Sequence, residues 1–122
     1  MTTALTCILI AGLLPYLGTL VAKRRMRLRH NRAPREYLET LEGAQKRAHW
    51  AQQNSFEALP LFAAAVLVAE FTEAPQLRAD ALAVTFVVAR VGYIGAYIAD
   101  RDRLRSILWF VGLLAVVGLF FI

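Results

Sequence analysis

Four apolar runs, each about twenty residues long, occupy most of a 122-residue chain, and no other feature narrows its fold as far. A run of ~20 apolar residues, rising ~1.5 Å per residue as a helix, crosses the ~30 Å hydrocarbon core of a bilayer. The spans fall at about 3–22, 46–72, 78–99 and 104–122. Runs this long and uninterrupted read as helices and not as strands. The expected fold is all-α, a single-domain integral membrane four-helix bundle. The composition agrees: 58% of the residues are hydrophobic, too many for a soluble core of this length to hide.

The first span has no basic residue before it and a basic block after it, as in a retained span and not a cleaved leader. Pro15 in its interior is expected to kink the helix. Tyr16 needs a hydrogen-bond partner if it faces protein.

The net charge of +5 suggests nucleic acid at first sight. The cations, however, gather at the ends of apolar runs, where they read as membrane-surface anchors, and no nucleic-acid motif is present. Lys23, Arg24, Arg25, Arg27, Arg29, Arg32 and Arg35 follow span one, and Arg101, Arg103 and Arg105 follow span three. Glu70, Glu73, Arg78 and Asp80 lie between spans two and three and net negative. The positive-inside rule then places both basic connections in the cytoplasm and both termini outside. The lone Cys7 excludes an intramolecular disulfide, and His30 and His49 have no second ligand at metal spacing, so no metal site is expected.

Glu57 and Arg90 lie within spans two and three, and a charge at bilayer depth costs several kcal/mol unless it is paired, solvated or used. Arg47, Trp50, Asn54 and Glu57 recur on one helical face, and Arg90, Tyr93, Tyr97 and Asp100 repeat the spacing. Counted from the cytoplasmic side, Glu57 and Arg90 each lie roughly 15 Å deep. They are expected to pair at the floor of a polar column that opens to the cytoplasm. Such a column can fix helix register or accept an anionic, hydrogen-bonding ligand. At the start of span four, Arg105 and Ser106 sit where free backbone N–H groups favour anions, and an arginine there would hold a thiolate. The competing reading makes Arg103 and Arg105 topology anchors. Trp50 and Trp109 read as interfacial belt residues, and the 23–35 block as a contact for lipid headgroups.

The stretches Asn54-Ser-Phe-Glu57-Ala-Leu-Pro60-Leu-Phe62, Arg90-Val-Gly-Tyr93-Ile-Gly-Ala-Tyr97 and Leu104-Arg105-Ser106 together resemble the MAPEG family, the membrane-associated proteins in eicosanoid and glutathione metabolism. The likeness covers about residues 46–109 and is to a small bacterial-type member, which implies a bacterial inner membrane. It implies a homotrimer with glutathione as co-substrate, bound between subunits near the cytoplasmic face. By position, Asn54, Glu57, Arg90, Tyr93 and Tyr97 would bind glutathione, with Arg105 holding its thiolate and Ser106 beside it. A lipophilic electrophile would arrive from the bilayer, for transfer or peroxidase chemistry. Many glutathione-using members carry an arginine where this chain has Trp50, with Arg47 one turn earlier as a substitute. The tyrosine that follows the Glu in the leukotriene-forming branch is replaced by Ala58, which argues against eicosanoid synthesis. Two other readings stay open: a non-catalytic membrane scaffold, and a small multidrug transporter, although span one lacks the carboxylate that such transporters use.

Overall fold

Inside a bilayer no water is available to the backbone, so each span must close its own hydrogen bonds, and an isolated segment can do that only as a helix. The computed structural model, which describes Met1–Ile122, shows this outcome. Helix α1 covers Thr3–Ala22, α3 Gly43–Phe71, α4 Gln76–Ile98 and α5 Asp102–Phe120, and all four are long and apolar enough to cross a membrane. No strand is present.

Helix α1 coincides with its expected span, and the other boundaries differ by one to three residues, for local reasons. Helix α3 begins at Gly43, whose left-handed φ of +59° glycine adopts without a Cβ penalty, and α5 begins at Asp102, a first-turn carboxylate that favours the helix dipole. Asp100 lies beyond the end of α4 in the left-handed region (φ 60°), so it does not extend the Arg90–Tyr97 face. There the Arg101 N–H bonds the Ala96 carbonyl and the Asp100 N–H bonds that of Tyr97, which is a Schellman closure. Glu73 (φ 53°) ends α3 in the same way, with Pro75 two residues later. Helix α1 runs through Pro15 as one element, and Tyr16 faces outward with its ring edge-on to Phe56.

The basic connection is more ordered than its charge suggests. It holds a 3₁₀ turn, Leu28–Arg32, and a short helix α2, Pro34–Glu39. Leu38 and Leu41 pack on Ala22 and Ala48 and so pin the connection to the bundle.

Helices α3 and α4 form the central pair, with α1 packed against both on one side and α5 against both on the other. At the basic end, Gln45 Nε2 donates to the Ala22 carbonyl and Arg47 Nε to that of Ile98. At the other end, the Ala4 N–H donates to Asp80 Oδ1 (2.8 Å) and the Thr2 hydroxyl to Glu70 Oε1 (2.6 Å). Helix direction therefore alternates, and the two basic connections share one face of the bundle.

Without a hydrophobic drive between helices in lipid, close packing must hold them, and small residues permit it. The core is rich in alanine around a stacked Phe62–Phe86 pair (3.9 Å between centroids). At Gly18, α1 lies directly on the α3 backbone: a Cβ there would meet the Ala48 carbonyl oxygen at 2.8 Å. Helix α3 has 29 residues, or about 43 Å, so it overruns the ~30 Å hydrocarbon core at its polar, Gly43 end.

Candidate functional site

Helices α3, α4 and α5 leave three adjoining cavities along their shared groove, and Asn54 lines all of them. The one farthest from the basic end, about 240 Å³, lies among Glu57, Leu61, Phe86, Arg90, Trp109 and Val116. A second, about 200 Å³, joins Asn54 to Tyr93, Arg105, Ser106 and Trp109. A third, about 360 Å³, opens between Trp50, Glu57, Tyr93 and Tyr97. The expected site residues Asn54, Glu57, Arg90, Tyr93, Tyr97, Arg105 and Ser106 thus fall along one groove.

Glu57 and Arg90 share a cavity, which agrees with their matched depth, but they form no ion pair. Arg90, only 3% exposed, donates instead from Nη2 to Ser55 Oγ at 3.0 Å. Ser55 Oγ in turn donates to the Ala51 carbonyl at 2.8 Å. Helical geometry explains the exchange of partners. Ser55 and Glu57 are two residues apart and so about 200° apart around α3. Ser55 faces α4, whereas Glu57 points outward and is exposed. The expected charge pair is therefore a cation–hydroxyl pair flanked by an outward carboxylate.

The cations are held by aromatic faces. Arg90 lies over the Tyr93 ring (4.1 Å to its centroid) and Arg105 over Tyr97 (4.6 Å), a contact that retains the charge while orienting its donors. Tyr93 and Tyr97 meet edge to face at 5.7 Å, and Trp50 tilts against Tyr97 at 6.4 Å. Spacings of i, i+3 and i+7 on α4 make this possible by stacking Arg90, Tyr93 and Tyr97 on one face. Neither guanidinium is ion-paired, so both keep donors for an anion. Asn54 Oδ1 is buried with no hydrogen-bond partner, an acceptor that asks for a ligand donor.

Arg47 is placed elsewhere. Its Nε bonds the Ile98 carbonyl at 3.1 Å, where it satisfies the end of α4, and it does not line the groove. Two groove residues escape a reading by sequence. Ser55 carries no pattern of its own, since a mid-helix serine commonly bonds the carbonyl one turn back. Trp109, expected as a belt residue, lies between two cavities; its i+4 spacing from Arg105 was the available signal.

Four apolar helices with an interhelical groove of unpaired charges and aromatics define an integral, multi-pass membrane protein with a polar site inside its bundle. The chain belongs to the MAPEG family, whose model matches residues 3–122. Members of that family include glutathione transferases and peroxidases. No curated protein and no solved structure matches the chain.

Proposed function

We propose that this protein is a glutathione-dependent transferase or peroxidase acting on lipophilic electrophiles, assembled as a homotrimer. The observation that carries this reading is the set of unsatisfied groups in one groove: two unpaired guanidiniums, a buried acceptor and an outward carboxylate. Glutathione offers the complement, with two carboxylates, an ammonium group, two amides and a thiol. Arg90 suits a carboxylate, Asn54 Oδ1 an amide N–H, and Glu57 the ammonium, with Tyr93 and Tyr97 as the wall between.

Glutathione supplies the sulfur: its thiol proton passes to water, the thiolate bonds the electrophilic carbon, and the leaving group departs with the electron pair of the bond that breaks. With a hydroperoxide the sulfur takes the terminal oxygen as the O–O bond breaks, and the other oxygen leaves as an alcohol. Arg105 lies in the first turns of α5, near its free N–H groups, where its charge and the helix dipole favour an anion. Tyr97 holds that guanidinium in place, and the Ser106 hydroxyl in the same cavity donates a further hydrogen bond. Glu57 is exposed at the outer rim of the groove, so a neighbouring copy would enclose it, which supports a site between subunits. The basic connections face the cytoplasm in this reading, across a bacterial inner membrane, so the water-soluble thiol enters from that side.

The test is the ultraviolet absorbance of the thiolate on mixing purified protein with glutathione. Arg105→Ala is expected to abolish the signal and to lower turnover by about a hundredfold or more, as for removal of an anion-stabilising donor. Absence of both thiolate and calorimetric binding in the unaltered protein would sink the proposal. Trp50, in place of an arginine, favours a second reading as a non-catalytic scaffold. That reading requires Arg105→Ala to be silent in every assay while Arg90→Ala destabilises the fold.

A further inference from the structure

The densest charge in the chain lies outside the groove. Seven cations fall from Lys23 to Arg35, and none forms an ion pair, although Glu36, Glu39 and Glu42 follow closely in sequence. Like charges at this density repel one another unless an anion lies among them. Arg29, His30, Arg32, Glu36 and Tyr37 line a cleft between the 3₁₀ turn and α2, which shares no residue with the site described above.

The imidazole marks where an anion belongs. The Arg27 N–H donates to His30 Nδ1 at 3.0 Å, and the His30 N–H donates to the Arg27 carbonyl at 2.9 Å, so the ring is locked onto its own turn. Stacking on Tyr37, with 4.4 Å between centroids, fixes the plane of the ring. A ring nitrogen that accepts carries no proton, and an imidazole always keeps one, so the proton sits on Nε2. Arg29 Nε lies 3.4 Å from that same nitrogen, with its own N–H directed at it. Two donors then face each other with no acceptor between them. The other tautomer only moves the conflict to the Arg27 N–H, at the shorter distance. One oxygen that accepts from both donors removes it, and an anionic oxygen does so best.

We propose that this cleft binds a phosphodiester, and that its source is the headgroup of a membrane phospholipid. Charge selects the diester. Arg29 and Arg32 against Glu36 leave the lining one positive charge, which a phosphodiester balances and a dianionic phosphate exceeds. Place selects the lipid. The turn follows closely on Ala22, where α1 ends, and Leu38 and Leu41 hold the connection against that end of the bundle. Leu28, beside Arg29, is 94% exposed, an apolar side chain that is unfavourable in water and favourable among acyl chains. The same turn thus carries a phosphate site and a hydrocarbon anchor.

Native mass spectrometry of the intact protein, released from dodecylmaltoside micelles with added dioleoylphosphatidylglycerol, counts bound lipid. Saturable binding is expected, well above that of dioleoylglycerol, which has the same chains and no phosphate; equal binding of the two overturns the proposal. Arg29→Gln with Arg32→Gln should weaken binding about tenfold or more, through the loss of charge-assisted hydrogen bonds. Arg24→Gln with Arg25→Gln removes equal charge outside the cleft and should weaken it less than about threefold, since exposed charges are screened. Equal losses in the two double variants overturn the site and leave a diffuse basic surface. Calorimetry separates the sources. Dimethyl phosphate, a soluble diester, and inorganic phosphate should both bind far more weakly than the lipid. Equal binding by dimethyl phosphate overturns the lipid as source, and equal binding by inorganic phosphate overturns the diester as well.

A second measurement reads the donor pair directly. In a His49→Gln background His30 is the only imidazole. At saturating lipid its Nε2 resonance in nitrogen NMR should move while that of Nδ1 stays. The reverse, or no shift, overturns the assignment. Glutathione takes no part in any of these assays, so failure here leaves the transferase reading standing, and the converse holds.

Discussion

Ser55→Ala tests the replacement of the expected charge pair by a cation–hydroxyl pair. The substitution deletes the one hydrogen-bond partner of Arg90, a cation that is 3% exposed. A neutral interhelical hydrogen bond in a membrane is worth ~0.6 kcal/mol on average, but a charged donor in a closed site raises the figure to ~1.5–3 kcal/mol. Alanine returns up to ~0.5 kcal/mol through its better helix propensity. The net loss is about 1–2.5 kcal/mol, or roughly a 5- to 70-fold fall in the folded-to-unfolded ratio. Unfolding by SDS in mixed micelles measures it. Glu57→Gln should cost less than ~0.5 kcal/mol in the same assay, because its carboxylate holds no partner in the bundle. Adding Arg90→Met to Ser55→Ala should recover part of the loss, since removal of both partners leaves nothing unsatisfied. The reasoning fails if Ser55→Ala lies within ~0.5 kcal/mol of the unaltered protein, or if Glu57→Gln matches it.

Other outcomes follow from the helix contacts. Gly18→Ala sets a Cβ against the Ala48 carbonyl oxygen, so α1 must shift from α3, and a loss of about 1–3 kcal/mol should appear in the same unfolding assay. Asp80→Ala removes the acceptor for the Ala4 N–H and should cost about 0.5–2 kcal/mol, with faster hydrogen exchange confined to the first turn of α1. Asp100→Gly relieves a left-handed residue and should stabilise by about 1 kcal/mol, raising the thermal midpoint.

The spans were legible because lipid rewards long apolar runs, and each of the four observed helices carries such a run. The order within the basic segment was not. Its buried apolar residues, Leu38 and Leu41, act only by meeting Ala22 and Ala48 on two other helices. In the site, periodicity on α4 gathered Arg90, Tyr93 and Tyr97, and depth counting brought Glu57 to the level of Arg90. Depth fixes one coordinate of a side chain and leaves its azimuth free. Ser55 took the position expected for Glu57 because only the packed bundle sets which face of α3 meets α4. Trp109 keeps an exposed edge that suits the expected belt role, and its second place, between two cavities, depends on the packed bundle and not on composition.

The overhang of α3 has a consequence for solubility. A thiol peptide partitions into water and a lipophilic electrophile into hydrocarbon, so mixing alone keeps their concentrations inversely related across the boundary. A single helix longer than the film is thick starts in water at Gly43, carries the proposed thiol-peptide positions Asn54 and Glu57, and ends in the other phase. Each reactant would then stay in the medium that concentrates it, and only the few atoms that react would meet at the interface.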